Sequence, residues 1–234
     1  MMIYVTSDLH GCAPEDFQQL LQRSGFREDD FLFVLGDVTD RGEHGAELLL
    51  WLTEQPNIQL ILGNHEAMLL ACSFVFDEVT EDTLKKLTVA QVKLLQRLVR
   101  NGGNPTLAGF RKLLKQDPEL VYGILDYLRE APLYEELTMG GRKFILVHAG
   151  LENFSPDRPL WDYTPEELLW VRPKLDTVYF PDATVIFGHT PTAHYGEEFR
   201  GKAIRTGSWV CIDTGAAMGG TPMLLRLDDM AEFY

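Results

Sequence analysis

Five short segments of the sequence carry side chains that could bind metal ions, and each follows a run of apolar, β-rich residues. The candidate ligands are carboxylates, imidazoles and an amide without cysteine, and such a set suits Mn, Fe or Zn. Each motif alone is also compatible with an ordinary turn, a helix cap or a structural histidine. Five such strand ends would rarely arise by chance, so we expect a metal site. The candidates are Asp8, His10, Asp37, Asn64, His65, His148 and His189.

Residues 36–42, with the sequence Gly-Asp-Val-Thr-Asp-Arg-Gly, form the motif around which the other motifs are arranged. This motif follows the apolar run 31–35, which has the length and composition of a buried strand. In open α/β sheets, ligands bind at the carboxyl ends of the strands. We therefore expect Asp37 to bind a cation and Arg41 to face the same pocket with a fork that fits phosphate. The alternative is a strand-to-helix turn in which Asp37 caps the helix and Arg41 faces solvent.

The elements that must position these side chains alternate between strands and helices in the first part of the chain. Apolar runs predict strands over 3–6, 31–35 and 58–62, and apolar residues at helical spacing predict helices over 15–23 and 43–54. Gly25 is a plausible end of the first helix. A β-α-β-α-β order in which each strand ends in a polar motif indicates an α/β layered fold with parallel strands.

The middle of the chain, about residues 67–137, has a different character and is predicted to be a helical insertion. Helices are expected over 108–114 and 120–128, and the Gly- and Pro-containing segment 101–105 should break the helical pattern. A further helical stripe is formed by Leu84, Leu87, Leu94, Leu95 and Leu98.

The last part of the chain is predicted to be rich in strands. Two runs separated by Gly140 and Gly141 predict a hairpin over 134–139 and 142–147, and further strands are expected over 183–187, 209–212 and 222–227. No linker and no repeat divides the sequence. Residues 1–234 are therefore predicted to form a single domain.

Composition restricts the classes of partner. The formal net charge of −14 argues against a nonspecific binder of nucleic acid or of anionic membranes, because both need a basic surface. It does not argue against an anionic substrate, since metal ions and arginines can outweigh the global charge locally.

The sequence also bears on where the protein is found. The three cysteines are scattered without a CxxC motif, so reduced thiols are expected. The start of the chain lacks the basic region of a signal peptide, and the apolar runs 48–52 and 68–72 are too short to span a bilayer. We expect a soluble cytoplasmic protein without a membrane partner. The sequence indicates no oligomeric state, and a monomer is assumed.

The order of the motifs is similar to that of a known family. Asp-x-His-Gly, Gly-Asp-x-x-Asp-Arg-Gly, Gly-Asn-His-Glu, His-Ala-Gly and Gly-His-Thr follow one another along the chain. In this order they resemble the phosphoprotein phosphatase family of metallophosphoesterases, and within it the bacteriophage lambda-type bacterial serine/threonine protein phosphatases. The resemblance covers residues 4–70 and 144–150 and the last third of the chain through residue 216, whereas the helical middle matches only loosely.

The resemblance implies a calcineurin-like α/β sandwich of two mixed β-sheets flanked by helices, with a binuclear metal centre. Two divalent ions are implied, with Mn²⁺ as the first expectation and Fe or Zn as alternatives. By position, one ion is held by Asp8, His10 and Asp37, and the second, bridged by Asp37, is completed by Asn64, His148 and His189.

The resemblance further implies hydrolysis of a phosphate monoester by direct attack of a metal-activated hydroxide on phosphorus. His65 is implied as the general acid, with Asp40 holding it as imidazolium. Arg41 and Arg172 are implied to bind the phosphate oxygens. Asp213 could orient a ligand histidine, or it could simply form a turn at a strand end.

Three functions remain open at this point. The main expectation is a serine/threonine protein phosphatase acting on a phosphoprotein or another phosphomonoester. The alternative is a symmetrical diadenosine tetraphosphate hydrolase, a sister group with the same metal ligands. Glu66 and Asp40 favour the phosphatase, because the sister group tends to carry different residues at both positions. A metal-free binding module is the third hypothesis, which the presence of every predicted ligand disfavours.

Overall fold

The computed structural model describes residues 1–77 and 87–234 and contains two five-stranded sheets. The strands are β1 (Ile3–Thr6), β2 (Phe31–Val34), β3 (Ile58–Leu60), β4 (Tyr134–Met139), β5 (Arg142–Val147), β6 (Ala183–Phe187), β7 (Ile204–Arg205), β8 (Trp209–Cys211), β9 (Leu224–Arg226) and β10 (Ala231–Phe233). The first sheet has the order β10-β9-β1-β2-β3 and the second has the order β4-β5-β6-β8-β7. In each sheet three parallel strands are joined by antiparallel neighbours, so both sheets are mixed.

The helices of the described residues lie mainly in the first half of the chain. They are α1 (Pro14–Ser24), α2 (Gly45–Thr53), α3 (Asn64–Ala71), α4 (Val89–Arg100), α5 (Asn104–Gln116), α6 (Pro118–Glu130) and α7 (Pro165–Leu169). Proline stands in the first turn of α5 and α6, where its missing N–H is not needed by the helix. None of the helices in the described ranges combines the length and apolar character required to cross a bilayer.

Both faces of the first sheet are buried, which explains why its strands are apolar without interruption. Tyr4 and Leu32 pack against the helices, whereas Val5 and Phe33, their neighbours along the strands, pack against the second sheet. This alternation is the one a strand imposes on successive side chains. The other face of the second sheet is covered by the segment that contains α7, with Trp209 buried in that outer layer. The resulting α/β sandwich of two mixed sheets flanked by helices confirms the predicted fold class.

Most predicted elements are confirmed, with small changes at their ends. The hairpin of β4 and β5 and the strand β6 have the predicted bounds, and β2, β3 and β8 end one or two residues earlier than predicted. Helix α1 ends at Gly25, which has a φ of 79° as a left-handed C-cap. The parallel arrangement expected for the first three strands is confirmed for β1, β2 and β3, and the antiparallel β9 and β10 make this sheet mixed.

The predicted helical insertion contains α4, α5 and α6. The break in the helical pattern is confirmed, since α4 ends at Arg100 and α5 begins at Asn104. Of the predicted leucine stripe, Leu98 is buried and Leu94 is exposed, and Leu84 lies outside the described residues. The side chains of α5 and α6 belong to the same buried cluster as those of β1 and β2.

This shared cluster predicts a large effect of removing a core side chain from the insertion. Phe110 of α5 is fully buried and stacks on Phe76 with ring centroids 5.0 Å apart. We expect Phe110→Ala to lower the free energy of unfolding by about 3–5 kcal/mol. Urea unfolding followed by fluorescence and circular dichroism should show one shared transition shifted to lower denaturant. The exposed Tyr122→Ala on α6 serves as the control and should change stability by less than about 0.5 kcal/mol. Separate transitions would show that the insertion unfolds independently.

Candidate metal centre and active site

The predicted ligands all lie at the carboxyl ends of strands from both sheets. Asp8 and His10 follow β1, and Asp37 follows β2. The loops after these strands are joined by backbone bonds, since the Asp8 N–H donates to the Gly36 carbonyl at 3.1 Å and the His10 N–H donates to the Asp37 carbonyl at 2.9 Å. His148 follows β5 and closes the site from the second sheet. All of the predicted metal ligands are buried.

One group of ligand atoms surrounds one oxygen of Asp37. The Oδ2 atom of Asp37 lies 3.7 Å from His10 Nε2 and 3.7 Å from His65 Nε2. Asp8 Oδ1 lies 3.8 Å from the same His10 nitrogen. The three predicted ligands Asp8, His10 and Asp37 are thus brought together. His65, which was predicted as an acid, is as close to Asp37 as His10 is.

A second group surrounds the other oxygen of the same carboxylate. Asp37 Oδ1 lies 3.4 Å from His148 Nε2, which in turn is 3.3 Å from His189 Nδ1. Asn64 Oδ1 lies 2.8 Å from His148 Nε2 and 2.9 Å from His189 Nδ1. The N-cap alternative for Asn64 is wrong, because Gly63 occupies the cap position, and in the first turn of α3 the His65 N–H donates to Asp37 Oδ1 at 3.0 Å.

In these two groups of ligand atoms, hydrogen-bond acceptors face one another. The surrounding hydrogen bonds leave too few protons to pair them. His10 Nδ1 donates to the Thr39 carbonyl at 2.9 Å and His148 Nδ1 donates to the Leu35 carbonyl at 2.7 Å. Each ring therefore directs the lone pair of its Nε2 into the site, the arrangement that outer hydrogen bonds impose on metal-binding histidines. Asp8 Oδ1 is buried without a hydrogen-bond partner among the described residues. Cations would satisfy these atoms.

The protonation states fit metal binding as well. Burial is the main cause that lowers the pKa of His10 to about 4 and the pKa of His189 to about 3, so both rings are neutral at pH 7. Burial, together with the carboxylates of Asp213 and Asp37, raises the pKa of Asp8 well above its ordinary range. A cation binds to neutral imidazoles and is attracted to a site in which carboxylates are crowded together. The two groups that share Asp37 suit a binuclear metal site.

The backbone at the site is strained in a way that the sequence alone did not reveal. Of the eight non-glycine residues with positive φ in the described chain, six belong to the predicted site. Such left-handed conformations cost on the order of 1–3 kcal/mol each and cluster at functional sites. The six are Asp8, His10, Asp37, Asp40, Arg41 and His189, with φ between 41° and 68°.

Close backbone approach explains the glycine that precedes His189. A Cβ atom at Gly188 would lie 2.0 Å from Asp8 Oδ2, so no side chain fits there. The same oxygen accepts a hydrogen bond from the His189 N–H at 2.8 Å. Asp213 forms the turn that was one of its two predicted roles, because its Oδ1 accepts from the Gly215 N–H at 2.9 Å.

Glu66 is the important site residue whose role the sequence analysis missed. Its fully buried carboxylate accepts from the Asp37 N–H at 2.7 Å, from the Val38 and Thr39 N–H groups at 3.0 Å and from the Thr39 hydroxyl at 3.0 Å. These bonds hold the strained loop that presents Asp37. They also show that Glu66 supports the backbone and has no free oxygen for a substrate.

This role predicts that Glu66→Gln weakens both folding and metal binding. The amide can accept at only one of its two ends, so at least one buried N–H loses its acceptor, at a cost of about 1–3 kcal/mol. Metal affinity should fall by about 10–100-fold, as is typical when an outer hydrogen bond to a ligand is lost. Thermal unfolding and calorimetric titration with Mn²⁺ measure the two effects. Glu47→Gln, at an exposed position on α2, should leave both unchanged, and an unaltered metal affinity in Glu66→Gln would contradict the assigned role.

His65 and Asp40 form a buried pair beside the ligand groups. His65 Nδ1 and Asp40 Oδ2 are 2.6 Å apart, and both side chains are inaccessible to solvent. Burial opposes the charged imidazole, but the Asp37 carboxylate and the hydrogen bond to Asp40 outweigh it and raise the pKa of His65 above its ordinary value. The protonated form of the His65 ring is therefore favoured relative to a free imidazole, with Nε2 directed at the site.

Two predicted arginines border the site. Arg41 donates through Nη1 to His10 Nε2 at 2.9 Å, and its Nη2 lies 3.3 Å from His65 Nε2. Arg172 is exposed and lines a cavity of about 460 Å³ with Arg41 and His189. His194, which lies outside the predicted motifs, lines the same cavity. Arg41 is also in the wall of a second cavity of about 510 Å³ that contains His10.

Comparison with known proteins agrees with this geometry. The sequence profile of the calcineurin-like phosphoesterase family matches residues 1–215. A protein of Chromobacterium violaceum named "Bis(5'-nucleosyl)-tetraphosphatase, symmetrical" is 32% identical over 155 residues, which are 64% of this chain and 44% of that protein. The chain therefore matches less than half the length of this curated relative.

Similar folds are found among solved structures. A protein named provisionally as a diadenosine tetraphosphatase superposes with a TM-score of 0.62 at 19% identity, over 99% of this chain and 91% of its own. A protein serine/threonine phosphatase from Saccharomyces cerevisiae superposes with a TM-score of 0.54 at 16% identity, over 90% of this chain and 66% of its own. At these identities the likeness concerns the fold alone. Because the family profile matches most of the length of this chain, the chain belongs to the calcineurin-like phosphoesterase family.

Proposed function

We propose that the protein is a binuclear metal-dependent hydrolase that cleaves dinucleoside tetraphosphates symmetrically into two nucleoside diphosphates. The observation that carries the chemistry is the pair of ligand groups sharing Asp37, with Arg41 beside them. The substrate class is supported by the curated relatives, which are named symmetrical bis(5'-nucleosyl)-tetraphosphatases. From the sequence alone this substrate is the alternative, and a protein phosphatase is the main expectation.

The residues of each ligand group fit one divalent cation. Asp8, His10 and Asp37 would hold the first, and Asp37, Asn64, His148 and His189 would hold the second. Bound cations would supply Lewis acidity that activates water and stabilises charge on the phosphate oxygens. Mn²⁺ is the proposed metal, because a mixed set of carboxylate, imidazole and amide ligands suits it, and Fe or Zn could replace it.

The remaining residues would bind the phosphate and move the proton. Arg41 and Arg172 would donate to phosphate oxygens with guanidinium forks. The water oxygen becomes a phosphate oxygen as the central P–O bond breaks. His65 would give its Nε2 proton to the leaving oxygen, while Asp40 accepts from Nδ1 and keeps the ring oriented.

The cavities beside the site support a substrate with two halves. Arg41 lies in the walls of both, one of about 510 Å³ that includes His10 and one of about 460 Å³ that includes His189. A symmetrical dinucleotide whose central bond lies at Arg41 would extend one half into each cavity. The Arg172 and Arg200 side chains that line the second cavity suit the outer phosphates of one half.

A serine/threonine protein phosphatase is the second candidate, and the His65–Asp40 pair favours it. A serine alkoxide is a poor leaving group that needs a proton, whereas a nucleoside diphosphate leaves readily without one. The contact of 2.6 Å between the two side chains is that of a charge-assisted hydrogen bond, which would keep the ring protonated and oriented for donation. Glu66, which favoured the phosphatase by sequence, adds little, because its carboxylate is buried in bonds to the loop.

The experiment that separates the two candidates compares their substrates directly. Metal-stripped protein is supplied with Mn²⁺ and incubated with diadenosine tetraphosphate or with a phosphoserine peptide. We expect ADP as the product from the dinucleotide, with little release of phosphate from the peptide. Release from the peptide alone would replace the proposal by the phosphatase. Release of AMP and ATP would contradict symmetrical cleavage, and a failure to bind Mn²⁺ would favour the binding module.

A further inference from the structure

The helical insertion contributes one buried hydroxyl to the proposed proton donor. We propose that Thr106, in the first turn of α5, is a positioning residue that fixes Asp40 and, through Asp40, the ring of His65. The inference rests on the proposed function only in taking His65 as the group that protonates the leaving oxygen. It assigns a role to the insertion that the motifs did not indicate.

The hydrogen bonds of Thr106 and Asp40 are reciprocal. The Thr106 hydroxyl donates to Asp40 Oδ1 at 2.6 Å, and the Thr106 hydroxyl oxygen accepts from the Asp40 N–H at 2.8 Å. The other carboxylate oxygen of Asp40 bonds His65 Nδ1 at 2.6 Å. Each oxygen of the carboxylate thus has one short bond, and the line Thr106–Asp40–His65 runs from the insertion to the site.

Burial makes the hydroxyl hard to replace. Thr106 is 1% exposed and Asp40 is fully buried, so bulk water cannot supply the donor if the hydroxyl is removed. Asp40 also has a positive φ of 68°, a conformation that persists only when its surroundings hold it. Because Thr106 bonds both the N–H and the carboxylate of Asp40, it fixes the strained backbone and the side chain together.

The packing of α5 explains how a hydroxyl from the insertion reaches this loop. Gly109 of α5 faces Ala46 of α2, where a Cβ atom on the glycine would lie 2.8 Å from the Ala46 Cβ. A second attachment lies just before α5, where the Gly102 carbonyl accepts from the Arg41 N–H at 2.9 Å. The insertion therefore touches the loop at two consecutive residues, Asp40 and Arg41, both with left-handed backbone.

The consequence is specific to proton donation. In a Thr106→Val variant the side chain keeps its shape, but Asp40 Oδ1 loses its donor and the Asp40 N–H loses its acceptor. The carboxylate can then rotate away from His65, and the ring loses the partner that orients it. Metal ligands and phosphate-binding arginines keep their own hydrogen bonds, so substrate binding should change little.

The test uses two aryl phosphates that differ in leaving group, phenyl phosphate and 4-nitrophenyl phosphate, with Mn²⁺-loaded protein. We expect Thr106→Val to lower kcat for phenyl phosphate by about 10–100-fold, the usual effect of losing an outer partner. For the nitrophenyl ester, whose leaving group needs no proton, kcat should change much less, and KM should change little for both. Thr106→Ser, which keeps the hydroxyl, should restore the wild-type ratio of the two rates.

Two further measurements keep the test decisive. Leu113→Ala, a buried position on the same helix, should lower the melting temperature without changing the ratio of the two rates. The proton between His65 and Asp40 should give a low-field NMR signal that disappears in Thr106→Val and survives in Thr106→Ser. Equal loss of rate on both esters, or an unchanged signal in Thr106→Val, would overturn the inference. If the wild-type protein hydrolyses neither ester with Mn²⁺, the inference is overturned, whereas the proposed function is judged separately by ADP release from diadenosine tetraphosphate.

Discussion

Replacement of Asp37 by asparagine should remove paired metal binding and nearly all hydrolysis. One oxygen of Asp37 faces His10 and His65 and the other faces His148, so we propose the carboxylate as the ligand that the two groups share. An amide presents only one oxygen and carries no charge, and it cannot serve both groups. The loss of an outer hydrogen bond to a ligand typically lowers activity by about 10–100-fold. Turnover in Asp37→Asn should fall by more than this.

The measurement is the metal content of dialysed protein together with its rate of hydrolysis. We expect about two Mn²⁺ ions per chain in the wild type and fewer in Asp37→Asn. The exposed Asp126→Asn on α6 provides the control and should match the wild type in both quantities. Two tightly bound ions in Asp37→Asn would show that Asp37 is not the shared ligand.

Replacement of His65 by asparagine should leave metal binding intact but remove the proton donor. The ring is held by Asp40 at 2.6 Å, and its pKa is raised above the ordinary value although burial opposes the charge. General acids of this kind contribute on the order of 10²–10⁴ in rate. The loss should approach the upper end with phenyl phosphate and be smallest with nitrophenyl phosphate or a dinucleotide, whose leaving groups are stable anions.

His65 also lies close to Asp37, so a role as a metal ligand must be distinguished from a role as an acid. Calorimetric titration of His65→Asn with Mn²⁺ should give the wild-type number of sites and a similar affinity. The half-exposed His44→Asn, which removes only a surface pair with Glu47, should retain full activity. Loss of one metal site in His65→Asn, or equal rate losses with both aryl esters, would contradict the role as an acid.

The sequence predicted the strands of the fold well, because their apolar runs are continuous and end abruptly in polar motifs. The run before Asp37 is apolar because its strand lies between the helices and the second sheet. The strands β7 and β10 were missed, since runs of two and three residues have no recognisable periodicity. Each pairs only with the adjacent strand along the chain, β10 with β9 and β7 with β8, at the edge of a sheet.

The sequence indicates which residues form the candidate site, but it does not indicate the contacts among them. Each predicted ligand follows a strand, and the topology brings these strand ends together. The supporting roles of Glu66 and Thr106 were not predictable, because Glu66 stands out in the sequence only as part of a motif and Thr106 lies outside every motif. Their roles depend on contacts 27 and 66 residues apart with Thr39 and Asp40, respectively, which only the folded chain reveals.

The substrate was the least predictable feature. The residues that favoured a protein phosphatase by sequence, Glu66 and Asp40, are both fully buried and bond other parts of the protein. They can affect how the site is held, but they cannot contact the group that distinguishes a phosphoprotein from a dinucleotide. The discriminating side chains should instead line the two cavities that adjoin Arg41.

The proposed function requires two metal ions, held by the groups that share Asp37, for hydrolysis. Its most direct test is to titrate metal-stripped protein with Mn²⁺ and to follow ADP release from diadenosine tetraphosphate at each metal-to-protein ratio. We predict negligible activity without metal and a rise that reaches its plateau only at about two ions per chain. Full activity in the stripped protein, or a plateau at one ion per chain, would contradict hydrolysis by a binuclear centre.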